Sequence, residues 1–169
     1  MSTGPTFKVK FRRRRESKTN YVKRLALLKS GKPRLVVRKS NNATVAEVVD
    51  YRPEGDSVKS FYSSGSLKKL GWKGHSGNLP ASYLAGFACA KKALKSGVKE
   101  AVLDIGLETP VHGSRVFAAL KGAIDAGLSV PADETVFPKA ERIEGTHISG
   151  ETKKNFEEVK KAIEKEFGE

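Results

Sequence analysis

The chain has one cysteine, Cys89, so no intrachain disulfide can staple it. The neighbours of that cysteine, in FACA, are small and apolar, which predicts a buried and inert thiol. No apolar run approaches the roughly 18 residues that a membrane span needs. The opening MSTGPTFKVKFRRRR has no apolar stretch of the kind a secretory signal carries, and a cytoplasmic location is expected. His75, His112 and His147 are far apart in sequence and away from Cys89, without the paired spacing of a zinc site. A nucleotide-binding P-loop requires a lysine directly after its second glycine, whereas Gly77 in GWKGHSGN is followed by Asn78. No G-x-S-x-G elbow occurs either. These absences predict no metal, no cofactor and no small-molecule substrate.

The scarcest thing in the first quarter is acid. Residues 1–42 hold fourteen Lys and Arg against Glu16 alone, an excess equal to the +13 of the whole 169-residue chain. Residues 43–99 carry nine bases and four acids, and residues 100–169 carry nine and fourteen. A molecule with its positive charge gathered at one end is steered and oriented by a polyanion through phosphate contacts and counterion release. The basic arm lacks the amphipathic apolar face that membrane-surface binding uses, so nucleic acid is the expected partner and a membrane is not.

The pattern divides the chain into a basic flexible arm over 1–16, an α/β core over 17–130, an extended loop over 131–150 and a C-terminal helix over 151–169. Like charges in Arg12, Arg13, Arg14 and Arg15 repel one another, so the free arm is expected to be disordered. A helix is predicted from Ser17 or Thr19 to about Ser30, with Tyr21, Leu25 and Leu28 docking on the domain and Lys18, Lys23 and Arg24 outside. RLVVRKS and ATVAEVVDY around Asn41-Asn42 read as a β-hairpin, and SVKSFYSS reads as a third strand. Asn78 and Pro80 open a helix that runs to about Ser96, with Tyr83, Phe87, Ala90 and Leu94 inward. EAVLDIG is a strand, and Arg115–Ala126 is a helix with Val116, Phe117, Leu120 and Ile124 inward. The class is α/β, a single domain whose mixed sheet joins an antiparallel hairpin to a parallel strand-helix-strand unit. Phe156, Val159, Ile163 and Phe167 share one face of the last helix.

Three regions offer donors to an RNA backbone. In the arm and the helix after it, Lys8, Lys10, Arg12 to Arg15, Lys18, Asn20 and Arg24 supply charge and polar contacts, and Phe11 and Tyr21 supply faces for unpaired bases. In the hairpin, Lys32, Arg34 and Arg38, with the tip Lys39, Ser40, Asn41 and Asn42, set register on phosphates. In the glycine-rich loop LGWKGHSGNLP, Lys73, His75, Ser76 and Asn78 precede a capped helix start and could cradle a phosphate. There Trp72 either stacks on a base or anchors the loop to the core. An enzymatic alternative is a metal-dependent ribonuclease using Asp50 and Asp104, each on a strand, with Asp125 on a helix, while Asp104 in LDIGLETP could instead accept hydrogen bonds from loop N–H groups.

The order of blocks carries a resemblance. FRRRRESKTNY, VKRLALLKSGKPRLVVRKSNN, GWKGHSGNLPASYLAGFACAKKAL and KEAVLDIGLETPVHGSRVFAALKGAIDAGL, covering about residues 5–148, together resemble the large-subunit ribosomal protein eighteen family in its archaeal form, whose eukaryotic counterpart is ribosomal protein L-five. The resemblance implies a constituent of the large ribosomal subunit that binds 5S rRNA, touches the large-subunit rRNA and neighbouring ribosomal proteins, and helps attach 5S rRNA in the central protuberance. It implies no catalysis and no cofactor. Its basic arm corresponds to residues 5–24, its hairpin tip to Arg38 through Asn42, and its loop to Gly71 through Asn78, the regions that charge and donors single out.

Overall fold

Segments rich in β-branched and aromatic residues form a three-strand meander of β1 (Arg34–Lys39), β2 (Thr44–Asp50) and β3 (Ser57–Ser63) in the computed structural model, which describes residues 4–167. β1 and β2 are antiparallel with Lys39 opposite Thr44, and the tip is closed by the Ser40 N–H donating to the Ala43 carbonyl at 2.8 Å. β2 and β3 are antiparallel with a bulge between Val48 and Val49. A short β4 (Val102–Asp104) lies parallel to β1, giving the order β3-β2-β1-β4. Leu35, Val37, Ala46 and Val48 face the helical layer and are fully buried, as period-two patterning requires.

Two helices cover that face. In α3 (Leu79–Lys95) Asn78 caps the N-terminus by accepting from the Ala81 N–H at 2.9 Å, and Gly97 at φ 81° ends it in a left-handed turn. Every residue from Pro80 to Ala90 is buried, because the sheet, α4 (Arg115–Asp125) and α6 (Gly150–Phe167) surround this helix. α3 and α4 approach at the level of their backbones. A Cβ on Gly86 would collide with the Ala119 carbonyl, and one on Gly122 with the Tyr83 carbonyl. The predicted inward residues of α4 are in place, with Val116, Phe117 and Leu120 buried and Ile124 packed against the core. α6 buries Phe156, Val159 and Ile163, and Phe156 lies 5.5 Å from the Tyr83 ring. Residues 131–150 contain a 3₁₀ turn at Glu134–Val136 and α5 (Ala140–Glu144), which buries Ile143.

The N-terminal segment departs from its amphipathic reading. After a single turn, α1 (Arg12–Arg15), the chain enters α2 (Tyr21–Leu28), where Asn20 caps by accepting from the Val22 and Lys23 N–H groups. No residue of α2 is buried, and Val22 and Leu25 are 70% and 58% exposed. The expected docking of Leu25 fails because α2 meets a charged surface: Arg24, placed outside by the pattern, turns to Asp56 at 2.9 Å.

Candidate nucleic-acid interface

The arm presents its cations without competition. Residues 4–18 are all exposed, so Lys8, Lys10, Phe11, Arg12 to Arg15 and Lys18 stand open to solvent. One carboxylate, Glu16, serves this stretch, 2.9 Å from Lys18 and 3.9 Å from Arg12. Exposed ion pairs of this kind contribute little, so the arm's charge stays available to an anion. Arg13 donates to the Thr19 hydroxyl at 2.8 Å, which ties α1 to the start of α2. Phe11 and Tyr21 meet with ring centroids 5.4 Å apart at 59°, beside the four arginines. Phe11 stays 75% exposed, a face on which a base could stack.

At β1 the reading needs correction. Arg34, expected on RNA, is 3% exposed and donates to Asp104 at 2.8 Å and to Asp56 at 2.6 Å. Its alternation places it on the sheet face under α2, where Asp104 lies on the neighbouring strand β4, beyond Val102, the residue opposite Arg34. Asp104 also accepts from Arg38 at 3.2 Å and from the Gly106 N–H at 2.8 Å, while Arg38 donates to the Asp104 carbonyl at 2.7 Å. Burial alone pushes the Asp104 carboxyl up, but the Arg38 charge, the Gly106 N–H and the two guanidinium hydrogen bonds outweigh it, and the group sits below the ordinary aspartate value. Arg38 remains about half exposed with a fixed guanidinium. Lys32 pairs with Glu100 at 2.6 Å and Lys39 with Glu108 at 2.9 Å. β1 therefore offers oriented, partly neutralised cations in place of free ones.

The hairpin tip and the glycine-rich loop, far apart in sequence, are neighbours in the fold. Arg115, at the first position of α4, donates from one nitrogen to the Ser40 carbonyl at 2.8 Å and the Gly77 carbonyl at 2.7 Å. A Cβ on Gly77 would meet the Asn41 carbonyl, so only glycine allows this approach. Arg115 was invisible to motif reasoning. Its one signal is a cation at a helix N-terminus, where the helix dipole disfavours it and some other partner must hold it. Ser40, Asn41 and Asn42 are exposed beside the loop, as are Lys73 and His75 within it. Arg13 and Lys18 of the arm share a cavity wall with Arg38, whereas Lys73 lies with Glu151, Lys154 and Glu158 of α6.

Within the loop two candidates are withdrawn. Trp72, 3% exposed, belongs to the core, and its ring lies where a Gly74 Cβ would go, so it anchors the loop and presents no face to a base. Ser76 is buried as well. The loop is also a poor phosphate cradle. The Lys73 N–H donates to Asn155 of α6 at 3.0 Å, the Gly77 N–H to His75 Nδ1 at 3.0 Å, and the Asn78 side chain caps α3. Asn155 in turn donates to the Gly71 carbonyl at 2.9 Å, so α6 braces the loop.

The ribonuclease alternative finds no site. Among the described residues no group of three or more His, Cys, Asp or Glu could hold a metal ion. Asp104 is occupied by two arginines, and Asp125 accepts from the Tyr83 hydroxyl at 2.8 Å on the opposite side of the core. Asp50 lies at the far end of β2, three residues beyond Glu47, which shares a register row with Val36 and Asp104. No described helix is long and apolar enough to cross a membrane.

Comparison with known proteins agrees with the blocks that carry the resemblance. A family model described as ribosomal large subunit proteins 60S L5, and 50S L18 matches residues 5–101 and 95–133. The large ribosomal subunit protein uL18 of Natronomonas pharaonis is 53% identical over 149 residues, covering 88% of this chain and 81% of that protein. The protein of the same name from Thermofilum pendens is 52% identical over 153 residues, covering 90% and 78%. With this identity and this coverage, the chain belongs to the family of large-subunit ribosomal proteins that includes 60S L5 and 50S L18, structural constituents of the large ribosomal subunit.

Proposed function

We propose that this protein binds 5S rRNA, contacts the large-subunit rRNA beside it, and helps attach the 5S RNA in the central protuberance. The observation that carries the reading is the sidedness of charge. The fourteen cations of residues 1–42 include the wholly exposed set on the arm, and Arg13 and Lys18 of the arm meet Arg38 of the hairpin around one cavity. Lys8, Lys10 and Arg12 to Arg15 neutralise closely spaced phosphates, and Phe11 and Tyr21 receive an unstacked base. Arg38, held by Asp104, fixes register on the backbone, and Asn42 adds a polar contact. Specificity comes from RNA shape, because the A-form major groove is too narrow for side chains to read.

Gel shift of 5S rRNA against a length-matched transcript at two salt concentrations tests this. Selective retention of 5S rRNA at the higher salt is expected, and equal affinity for both transcripts overturns the specific reading. Replacing Arg12 to Arg15 with alanine should flatten the slope of log affinity against log salt by about 0.7–0.9 per lost contact. An unchanged slope removes the arm from the mechanism.

A further inference from the structure

A cavity of about 370 Å³ lies between the arm, α2 and the β1–β4 edge of the sheet. Its walls carry six cations, Arg13, Lys18, Lys23, Arg24, Arg34 and Arg38, and one acid, Asp104. Counting Glu16 and Asp56, which pair with Lys18 and with Arg24 and Arg34, gives six cations against three carboxylates, an excess of three. Ala26, Leu27, Leu103 and Ile105 form an aliphatic part of the wall, and Thr19, Asn20 and Gly106 complete it. The volume is at the lower end of the ~300–1,000 Å³ range of small-ligand pockets.

An independent observation concerns Arg34. Its Nε is the one buried side-chain nitrogen or oxygen without a hydrogen-bond partner among the described residues, and Arg34 lines this cavity. Two carboxylates hold the ends of the guanidinium, so the side chain is fixed while the third nitrogen has no acceptor. A buried charged donor left without an acceptor is costly, and natural structures rarely leave one. The cavity thus combines an unmet cationic donor and surplus positive charge with an aliphatic wall. An inorganic anion answers the first two features and leaves the third unused. A nucleotide answers all three, with phosphate on the cations and base against Leu27, Leu103 and Ile105.

We propose that this cavity receives one nucleotide extruded from the bound RNA, its phosphate acting on the Arg34 side of the wall and its base lying on the aliphatic side. The proposal rests on the RNA-binding reading and adds a defined subsite to it. Single-stranded bulges and loops, whose bases are already unstacked, provide such a nucleotide at low cost.

The test follows the Arg34 Nε–H resonance of the full chain by ¹H–¹⁵N NMR during titration with 5S rRNA, 5′-AMP, 5′-UMP and inorganic phosphate. Movement of that resonance at RNA saturation is expected, with the mononucleotides shifting it at lower concentration than phosphate. RNA movement without mononucleotide binding also supports the subsite and identifies the polymer as its source. Equal effects of phosphate and mononucleotides reduce the site to a plain anion pocket, and no movement with RNA overturns it. A second variant, Ala26→Phe, fills the cavity from an exposed helix position while keeping every cation. It should weaken 5S rRNA binding by about tenfold or more. If Ala26→Phe binds normally while the Arg12 to Arg15 alanine variant does not, the subsite falls and RNA binding stands. If native protein shows no 5S rRNA binding, the parent reading itself falls.

Discussion

Asp104→Asn tests the charge network that holds β1, β4 and the neighbouring loops together. In the native protein the Asp104 carboxylate is almost fully buried and accepts from Arg34, Arg38 and the Gly106 N–H. Asparagine keeps one acceptor oxygen and places an N–H₂ where the second oxygen received a guanidinium donor. Removing one partner of a buried ion pair costs about 3–5 kcal/mol. Asp56 still holds Arg34 at 2.6 Å and Arg38 is half exposed, so the lower end, about 3 kcal/mol, is expected. For a chain of this size each kcal/mol lowers the melting temperature by about 2–4 °C, giving a loss of about 6–12 °C at pH 7. The pH dependence has a definite sign. The folded Asp104 carboxyl lies below its ordinary value of 3.8, so its contribution is complete above that pH and disappears as pH falls through the folded pKa. The gap in melting temperature between native protein and variant, followed by circular dichroism, should be largest near neutrality and narrow as the pH falls from 7 toward about 2. A loss under about 2 °C at pH 7, or a gap that acid leaves unchanged, would refute the network as a source of stability.

Other expectations concern helix packing, the Arg115 clamp and the buried thiol. Gly86→Ala should destabilise by about 1–3 kcal/mol or more, because the new methyl meets the Ala119 backbone of α4; urea unfolding with an unshifted midpoint would contradict the close helix crossing. Arg115→Ala should uncouple the hairpin tip from the glycine-rich loop, seen as faster amide exchange at Gly77 and Ser40 with protection in β2 unchanged. The thiol of Cys89 is pushed up to about 11, chiefly by burial, with the Ser60 hydroxyl at 3.3 Å pulling in the opposite direction. It should resist alkylation at pH 8 until the protein unfolds. Rapid modification of native protein would show that α3 opens readily.

Much of the fold was legible because local pattern and tertiary demand agree. Tyr83, Phe87 and Ala90 recur at helical spacing between Asn78 and Gly97, and each finds the core. The hairpin was legible from RLVVRKS, Asn41-Asn42 and ATVAEVVDY. What failed involved partners far away in sequence. Arg34 reads as one more cation in a basic stretch, and only Asp104, seventy positions later, makes it a buried structural residue. The α2 stripe reads as a docking face, but the surface beneath it carries Asp56 and Asp104, so Arg24 turns inward and Leu25 outward. In GWKGHSGN the glycines suggested a phosphate cradle. They serve close backbone approach instead, with Trp72 filling the space above Gly74 and Asn41 lying against Gly77. Of the candidate site, the exposed arm cations and the hairpin tip were legible, since surface charge needs no partner to be recognised. The Arg115 clamp and the Asn155 brace were not, because a single side chain bonded to backbone carbonyls leaves no motif.

The sheet has two borders, and each is unsuited to recruiting another copy of the chain. β4 is three residues long, too short to template a further strand. β3 carries Lys59, and its pairing with β2 is bent by the bulge at Val48 and Val49, although Val58 and Phe61 are half exposed on its surface. A basic protein made apart from its RNA must persist for a time with apolar sheet surface uncovered. The abbreviated border on one side and the kinked, charged one on the other keep that interval from ending in strand-to-strand association.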